Sequence, residues 1–287
     1  MHRALPFLVM LLAATTALAQ TAAKPQQSPP PSAPAGAHVR ATESAVDALI
    51  ADDPAVDKML TEYAPKVREL DVVIGHLQGE LRKFGIGAGS MGNFITDAML
   101  VEARQKLGRP VALAVVNGGG LRKSTIAEGD LRHRDIFELL PFENALVVFD
   151  MTGEQVLTLL KQVLSHRDAQ SGARVRYHEN ADKKTEIESV RLLINGRPTD
   201  IDPNAVYTVV TIDYLLKRVA TKPSDSEGDY GVLAKAKKIE PLGITIRDAI
   251  INYVKAETAA GRNIRTNLDG RFSLNRDASP NTQEPQP

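Results

Sequence analysis

The stretch that decides the fold lies near the middle of the chain and reads Pro110-Val111-Ala112-Leu113-Ala114-Val115-Val116-Asn117-Gly118-Gly119-Gly120. It follows Met91–Leu107, where apolar residues recur at helical spacing. A continuous apolar run of this length after a helix is typical of a strand that is buried on both faces. The glycines then end the strand and allow the backbone to approach a ligand closely. The carboxyl ends of strands are where open α/β sheets bind ligands.

Helical and strand patterns alternate on both sides of this stretch. Predicted helices cover Ser44–Ile50, Pro54–Glu69, Met91–Leu107, Arg132–Leu139, Gly153–Ser165 and a last helix from Thr245 to about Ala260. Predicted strands cover Val72–Leu81, Val111–Val116, Ala145–Met151, Ile187–Ile194, Ala205–Ile212 and Arg271–Leu274. Asn195-Gly196 favours a tight turn, from which we expect Ala205–Ile212 to return as the partner of Ile187–Ile194. Ile126–Asp130 is predicted as a turn, and Gly85–Ser90 as a loop. The class is α/β with a mixed sheet.

The two ends of the chain differ in composition from the part between them. Residues 1–19 have a short positive start, an apolar run and the small-residue site Ala17-Leu18-Ala19, which predicts a secretory signal peptide cleaved after Ala19. The run is shorter than the roughly 20 residues that span a bilayer. We therefore expect a periplasmic or secreted protein with no membrane anchor after cleavage. Residues 20–41 form a Pro/Ala-rich linker and 277–287 a similar tail, both predicted to be disordered, and 42–276 form one folded domain.

Composition excludes several classes of function. The chain has 35 basic and 35 acidic side chains among 287 residues, with no basic block, which argues against a nucleic-acid polymer as partner. It has no cysteine, so disulfides, iron–sulfur sites and thiol nucleophiles are absent. Its six histidines lie far apart, with no spacing typical of metal ligands.

Two short segments are candidates for ligand recognition. Arg122 follows the glycine turn and offers a forked donor face suited to phosphate or ribose oxygens. Phe142, in Leu140–Asn144 just before a buried strand, could stack on a base. Local composition leaves two plainer interpretations open: a glycine turn with a surface arginine, and a phenylalanine that packs under its own loop. The glycine spacing is not that of a P-loop.

Several motifs together carry a family resemblance. They are Gly92-Asn93-Phe94-Ile95-Thr96-Asp97-Ala98-Met99, Asn117–Arg122, Leu140-Pro141-Phe142-Glu143-Asn144, Ile212-Asp213-Tyr214-Leu215, Gly228-Asp229-Tyr230 and Asp269-Gly270-Arg271-Phe272. In order and spacing the chain resembles the C-terminal, substrate-binding domain of the 5′-nucleotidases over about residues 52–274. The resemblance implies a layered α/β/β/α domain with a mixed sheet, and a nucleoside or nucleotide as ligand.

The resemblance also implies a set of substrate-binding residues: Asn117, Gly119, Gly120, Arg122, Phe142, Asn144, Tyr214 and Asp229. Phe142 and Tyr214 take the places of two rings that sandwich the base, where each stack contributes about 1–3 kcal/mol. Asn117 and Asn144 fall where amides meet the base edge or the sugar. Asp229 falls where a carboxylate accepts hydrogen bonds from ribose hydroxyls, and Arg122 falls on the substrate-binding arginine.

The chain departs from the family pattern on the phosphate side. Gly85 and Gly87 stand where the family usually has one or two arginines, so the charge available to a phosphate is reduced. Nucleoside recognition is less affected. Three cations after Tyr214 either replace the missing pair or form a solvated loop: Lys217, Arg218 and Lys222.

In the family, hydrolysis takes place in a separate N-terminal metallophosphatase domain with two metal ions. Its motifs are absent from this sequence, so we expect no catalytic residues and no cofactor here, with divalent metals only in a separate partner chain. Three hypotheses follow: an exported recognition domain that works in nucleotide catabolism with a metallophosphatase chain in trans, a structural or interaction module that has lost its ligand, or a 5′-nucleotidase in its own right.

Overall fold

The computed structural model describes residues 43, 45, 47, 50–221, 230–266 and 268–276. Six α-helices lie in the unit that begins at Pro54: α1 (Pro54–Glu69), α2 (Gly89–Leu107), α3 (His133–Leu139), α4 (Gly153–His166), α5 (Asp213–Thr221) and α6 (Ile246–Ala259). The strands are β1 (Val73–Gln78), β2 (Leu81–Arg82), β3 (Leu113–Val116), β4 (Thr125–Ile126), β5 (Gly129–Arg132), β6 (Ala145–Thr152), β7 (Ala169–Ser171), β8 (Ala173–Glu179), β9 (Thr185–Ile194), β10 (Arg197–Asp200), β11 (Val206–Ile212), β12 (Lys237–Thr245), β13 (Ile264–Arg265) and β14 (Phe272–Leu274). The predicted signal peptide, linker and tail lie outside the described residues, as does most of the predicted helix Ser44–Ile50.

The central sheet has five strands in the order β12-β6-β11-β3-β7. Only β11 and β3 run parallel to each other in it, and the other pairs are antiparallel. A second sheet has the order β10-β9-β8-β14, a third β13-β1-β5, and β2 pairs with β4. The expectation of an α/β fold with mixed sheets is therefore confirmed.

The core forms around β3 and α2. Every residue of β3 is buried, as the unbroken apolar run predicts. Helix α2 is buried over most of its length and packs against β7 and α6. A side chain on Gly92 would collide with the carbonyl of Gly87, so glycine is required where the loop before α2 crosses the helix. The helix ends at Gly108, which has a φ of 61°.

Two predicted helix starts are confirmed in detail. The hydroxyl of Thr152 accepts a hydrogen bond from the amide of Gln155, whose side chain accepts one from the amide of Thr152. Thr245 and Asp248 form the same reciprocal pair at the start of α6. Each capping box satisfies two amides that a helix would otherwise leave unpaired.

The predicted hairpin pairing is wrong. Asn195 and Gly196 do form the tight turn, both with positive φ, but the turn joins β9 to the short strand β10. Strand β11 instead lies in the central sheet between β6 and β3. The difference follows from burial. The last five residues of β11 are buried and need packing partners on both faces of the sheet, whereas β10 is exposed throughout.

Other boundaries also differ from the pattern-based prediction. Val72–Leu81 is two strands, because Gly79 turns the chain with a φ of 105°. The predicted turn Ile126–Asp130 contains the end of β4 and the start of β5, and helix α2 begins inside the predicted loop Gly85–Ser90. The sequence patterns did not indicate β7, β8 and β12, of which β12 carries charges and a proline.

Candidate functional site at one edge of the central sheet

The ends of four strands meet at one edge of the central sheet. The parallel register of β11 and β3 pairs Val210 with Ala114, so their carboxyl ends lie together. The antiparallel registers pair Ile212 with Leu146 and Val116 with Ala169, which brings the starts of β6 and β7 to the same edge. The segments that leave this edge carry Asn117, Asn144, Asp168 and Tyr214. Three of the four are residues that the sequence motifs predict, and Asp168 is one that they miss.

Several backbone amides of the glycine turn after β3 are used within the protein. Gly118–Gly120 form a single 3-10 turn. Backbone amides in and around this turn donate hydrogen bonds to other groups of the protein. The amide of Gly118 donates to Oδ1 of Asp168 at 2.6 Å. The amides of Gly120 and Leu121 donate to the carbonyls of Asn117 and Gly118, both at 3.1 Å. These donors are therefore already engaged within the protein.

Asn117 lies folded against its own turn. A Cβ built on Gly119 would come 3.6 Å from the Nδ2 atom of Asn117, and one on Gly120 would come 3.6 Å from its Oδ1 atom. This Oδ1 atom is buried and has no hydrogen-bond partner among the described residues. A buried acceptor without a donor is unfavourable, so the site favours a ligand or water that donates to it.

The two predicted stacking rings are exposed on segments at neighbouring strand ends. Phe142 is 49% exposed in the loop before β6, and Tyr214 is 45% exposed in the first turn of α5 after β11. Neither ring stacks on another aromatic ring in the described part of the chain. The guanidinium carbon of Arg122 lies 5.9 Å from the centre of the Phe142 ring, within range of a cation–π contact. Phe142 therefore does not pack under its own loop.

A buried arginine holds the loop that carries Phe142. Arg247, on α6, donates to the carbonyl of Leu140 at 3.1 Å and to the carboxylate of Glu143 at 2.9 Å. Its guanidinium also lies 4.5 Å from the ring centre of Phe137. The carbonyl of Asn144 accepts from the amide of Ile246 at 2.9 Å, so both ends of the loop are tied to α6.

Of the cations that the sequence offers in place of the missing arginines, Lys217 is held within α5, and Arg218 lies close enough for its charge to act on Tyr230. Nζ of Lys217 donates to Oδ2 of Asp213 at 2.6 Å, and Oδ1 of Asp213 accepts from the amide of Ala145 at 3.0 Å. Lys217 thus supports the junction of β11 and β6. Lys222 lies outside the described residues, as does Asp229, the predicted ribose acceptor.

Lys83 lies close to the glycine turn, a contact that no sequence pattern indicated. Its Nζ donates to the carbonyl of Leu121 at 2.9 Å, and its Cε lies 4.0 Å from a Cβ built on Gly118. Sequence reasoning missed it because it lies 38 residues before its partner, in a segment without a periodic pattern.

Gly85 and Gly87 adopt backbone conformations that disfavour a side chain. Their φ angles are 58° and 78°. A Cβ on Gly87 would lie 2.8 Å from the ring of Phe272, so that space is filled. The local backbone conformation therefore disfavours arginine at both positions.

Asp168 is a buried carboxylate that joins the glycine turn to the segment beginning at Tyr230. Its Oδ2 accepts a hydrogen bond from the hydroxyl of Tyr230 at 2.6 Å, while Oδ1 holds Gly118. Burial raises the pKa of Asp168, against the two hydrogen bonds and the charges of His166 and Lys83, which lower it. Burial and the Asp168 charge raise the pKa of Tyr230 well above its ordinary value, so Tyr230 is a proton donor here.

Comparison with known proteins identifies the architecture. The family model described as "5′-nucleotidase, C-terminal domain" matches residues 72–219, half of the chain. The chain belongs to this family. It is 32% identical over 169 residues to the protein UshA of Yersinia enterocolitica, a match that covers 58% of this chain and 29% of UshA. It is 28% identical over 192 residues to the trifunctional nucleotide phosphoesterase YfkN of Bacillus subtilis, covering 64% of this chain and 12% of YfkN.

Solved structures share the fold. The 5′-nucleotidase precursor of Thermus thermophilus superposes with a TM-score of 0.61 at 24% identity, over 77% of this chain and 43% of that protein. The NAD nucleotidase of Haemophilus influenzae gives a TM-score of 0.56 at 20% identity, over 78% and 41%. The chain thus spans less than half the length of the relatives that it matches.

The described residues also bear on metal binding and on membrane insertion. No group of three or more His, Asp or Glu side chains among them is placed to hold a metal ion. None of the described helices is long and apolar enough to cross a membrane.

Proposed function

We propose that this domain binds a nucleoside or nucleotide, with the base between Phe142 and Tyr214. One observation carries the proposal: two exposed rings and the amides of Asn117 and Asn144 lie on segments that leave adjacent strand ends at one sheet edge. Exposed rings suit a base because every base offers a π-face, and the buried Oδ1 of Asn117 suits a ligand donor. The roles of Gly119, Gly120, Arg122 and Asp229 stay predictions from the family pattern.

Titration of the purified protein with adenosine and AMP tests this. Replacing Phe142 or Tyr214 by alanine should weaken adenosine binding by about 1–3 kcal/mol each, the value of one base–aromatic stack. Tyr63→Ala is the matched control, because Tyr63 is 51% exposed on α1 and lies outside the site. Saturable binding that Phe142→Ala and Tyr214→Ala leave unchanged would refute the proposed stacking.

We further propose that the protein is exported and acts in nucleotide catabolism with a separate metallophosphatase chain. The signal-like residues 1–19 and the names of the relatives, which concern nucleotides, support this. Phosphate release from AMP should require the second chain and a divalent metal, and should stop with a chelator. Chelator-sensitive release by this chain alone would instead establish it as a hydrolase in its own right.

A second candidate is an interaction module that has lost its ligand. The positive φ of Gly85 and Gly87 favours it, since the phosphate side cannot regain arginines without a local rearrangement. In that case neither adenosine nor AMP binds at millimolar concentration, while affinity capture from an extract recovers a protein partner.

A further inference from the structure

We propose that Asp168 is a specificity-determining residue that makes this site favour an uncharged nucleoside over its 5′-phosphate. The inference rests on the proposed function and adds to it the class of ligand. Three observations at the sheet edge support this inference: the hydrogen bonds of the Asp168 carboxylate, the backbone amides of the glycine turn, and the contacts of the nearest cations.

The carboxylate of Asp168 occupies a position that suits an anionic ligand. It receives the amide of Gly118 at 2.6 Å and the hydroxyl of Tyr230 at 2.6 Å, two donors at the mouth of a glycine turn. Its side chain is buried, with Asp168 only 6% exposed, so solvent screens its charge weakly. The protein thus supplies its own anion at the turn.

Three further amides near the turn are engaged as well. Gly120 and Leu121 donate their amides within the turn, and Arg122 donates its amide to the carbonyl of Leu139 at 2.8 Å. A phosphate depends on several converging amides when a glycine turn binds it. Here the amides of Gly118, Gly120, Leu121 and Arg122 are used within the fold and are not available to a ligand.

The cations that the structure describes near the edge act on groups of the protein: the charge of His166 on Asp168, and that of Arg218 on Tyr230. Lys83 is directed at the carbonyl of Leu121, and its charge already acts on Asp168. Arg122 lies over the ring of Phe142. Gly85 and Gly87 contribute no charge, and the ring of Phe272 fills the space at Gly87. A phosphate at this edge therefore meets a buried negative charge with fewer cations than the family pattern provides.

An uncharged nucleoside meets none of these obstacles. Its base needs the rings and the amide of Asn117, and its sugar needs acceptors for its hydroxyl groups. A unit charge near a buried carboxylate is disfavoured by the Coulomb interaction, which at an effective dielectric of about 20 to 40 and separations of about 8–10 Å corresponds to roughly four-fold or more in affinity.

Calorimetric titration with adenosine and with AMP measures the preference directly. We expect wild type to bind adenosine at least several-fold more tightly than AMP. Asp168→Asn keeps an oxygen that accepts from Gly118 and removes the charge, so it should narrow the ratio of the two dissociation constants by about four-fold. The ratio reports on specificity, because mere structural damage weakens both ligands together.

Asp150→Asn is the matched control. Asp150 is largely buried on β6 at the opposite end of the same sheet, where it accepts from Thr208 at 2.9 Å, and its replacement changes the net charge equally. It should leave the ratio unchanged.

Each outcome decides the inference. Equal or tighter AMP binding by wild type overturns it, and so does a ratio that Asp168→Asn leaves unchanged while adenosine still binds. Either result leaves the proposed nucleoside or nucleotide binding standing. If neither ligand binds at millimolar concentration, the proposed function itself fails and this inference fails with it.

Discussion

Two buried charges in this domain are held in opposite ways. Arg271 is 7% exposed and donates to the carboxylates of Asp97 and Asp269, with distances of 2.9–3.1 Å. Asp168 is 6% exposed and is held by neutral donors, the amide of Gly118 and the hydroxyl of Tyr230. The first charge has counter-charges in contact, whereas the second has hydrogen bonds alone.

The pKa shifts follow this difference. Burial alone would raise the pKa of Asp269, but the hydrogen bonds and charge of Arg271, with the charge of Arg174, lower it to about 2. Burial raises the pKa of Asp168, because its hydrogen bonds do not offset its desolvation. The Arg271 cluster therefore stabilises the fold, whereas ionisation of Asp168 costs stability. This cost is consistent with the specificity role that we propose for Asp168.

The largest expected effect is in the Arg271 cluster. Arg271→Met should lower the free energy of unfolding by about 3–5 kcal/mol, because it leaves Asp97 without its bidentate partner and removes donors to the carbonyl of Gln170. Urea unfolding followed by circular dichroism measures it. Arg174→Met is the control, since this half-exposed arginine makes one ion pair with Asp269 and should contribute about 1 kcal/mol or less. Equal losses in the two variants would show that burial does not distinguish them.

The next effect tests the neutral donors. Tyr230→Phe removes the hydroxyl that binds Oδ2 of Asp168 and should lower stability by about 1–3 kcal/mol. Tyr207→Phe is the control, because its hydroxyl accepts from an exposed amide and its loss should matter little. The loss at Tyr230 should shrink in an Asp168→Asn background, where no charge remains to be stabilised. A loss that is the same in both backgrounds would contradict the proposed interaction.

The contrast between these regions shows what a sequence can predict. The apolar run before Asn117 predicts a buried strand, and the capping boxes at Thr152 and Thr245 are local patterns that specify local structure. The pairing of β11 is not local: Asn195-Gly196 specifies a turn but does not choose which later strand returns.

The candidate site divides in the same way. Family motifs give positions along the chain for Phe142, Asn144 and Tyr214, and the sheet registers bring their segments to one edge. Asp168 lies 50 residues from Gly118 and 62 from Tyr230, so its contacts depend on tertiary structure. No sequence pattern marked Asp168, since the buried strand β7 that directly follows it was not indicated either.

The smallest expected effects are opposite pH dependences of the free energy of unfolding, one from the Arg271 cluster and one from Asp168. The folded-state pKa of Asp269 lies below its ordinary value, so its contribution is complete above about pH 4 and is lost as the pH falls through about 2. It amounts to about 1 kcal/mol once solvent screening of this half-exposed group is allowed for. Asp168 has a raised folded-state pKa, so its unfavourable contribution is full above that pKa and is relieved as the pH falls through it.

We expect measurement of the free energy of unfolding between about pH 7 and pH 2.5 to separate the contributions of Asp269 and Asp168, using wild type, Asp269→Asn and Asp168→Asn. The other carboxyl groups contribute equally in all three proteins, so their contributions cancel when the proteins are compared. Asp269→Asn should lose the most stability relative to wild type at neutral pH, and this difference in free energy of unfolding should close in acid. Asp168→Asn should be at least as stable as wild type at neutral pH, and this advantage should decline as Asp168 in wild type takes up its proton. Because the two gaps have opposite signs at neutral pH, a single pair of curves distinguishes a charge that stabilises the fold from one that the fold tolerates. An Asp168→Asn variant that is least stable at neutral pH would show instead that the carboxylate stabilises the edge.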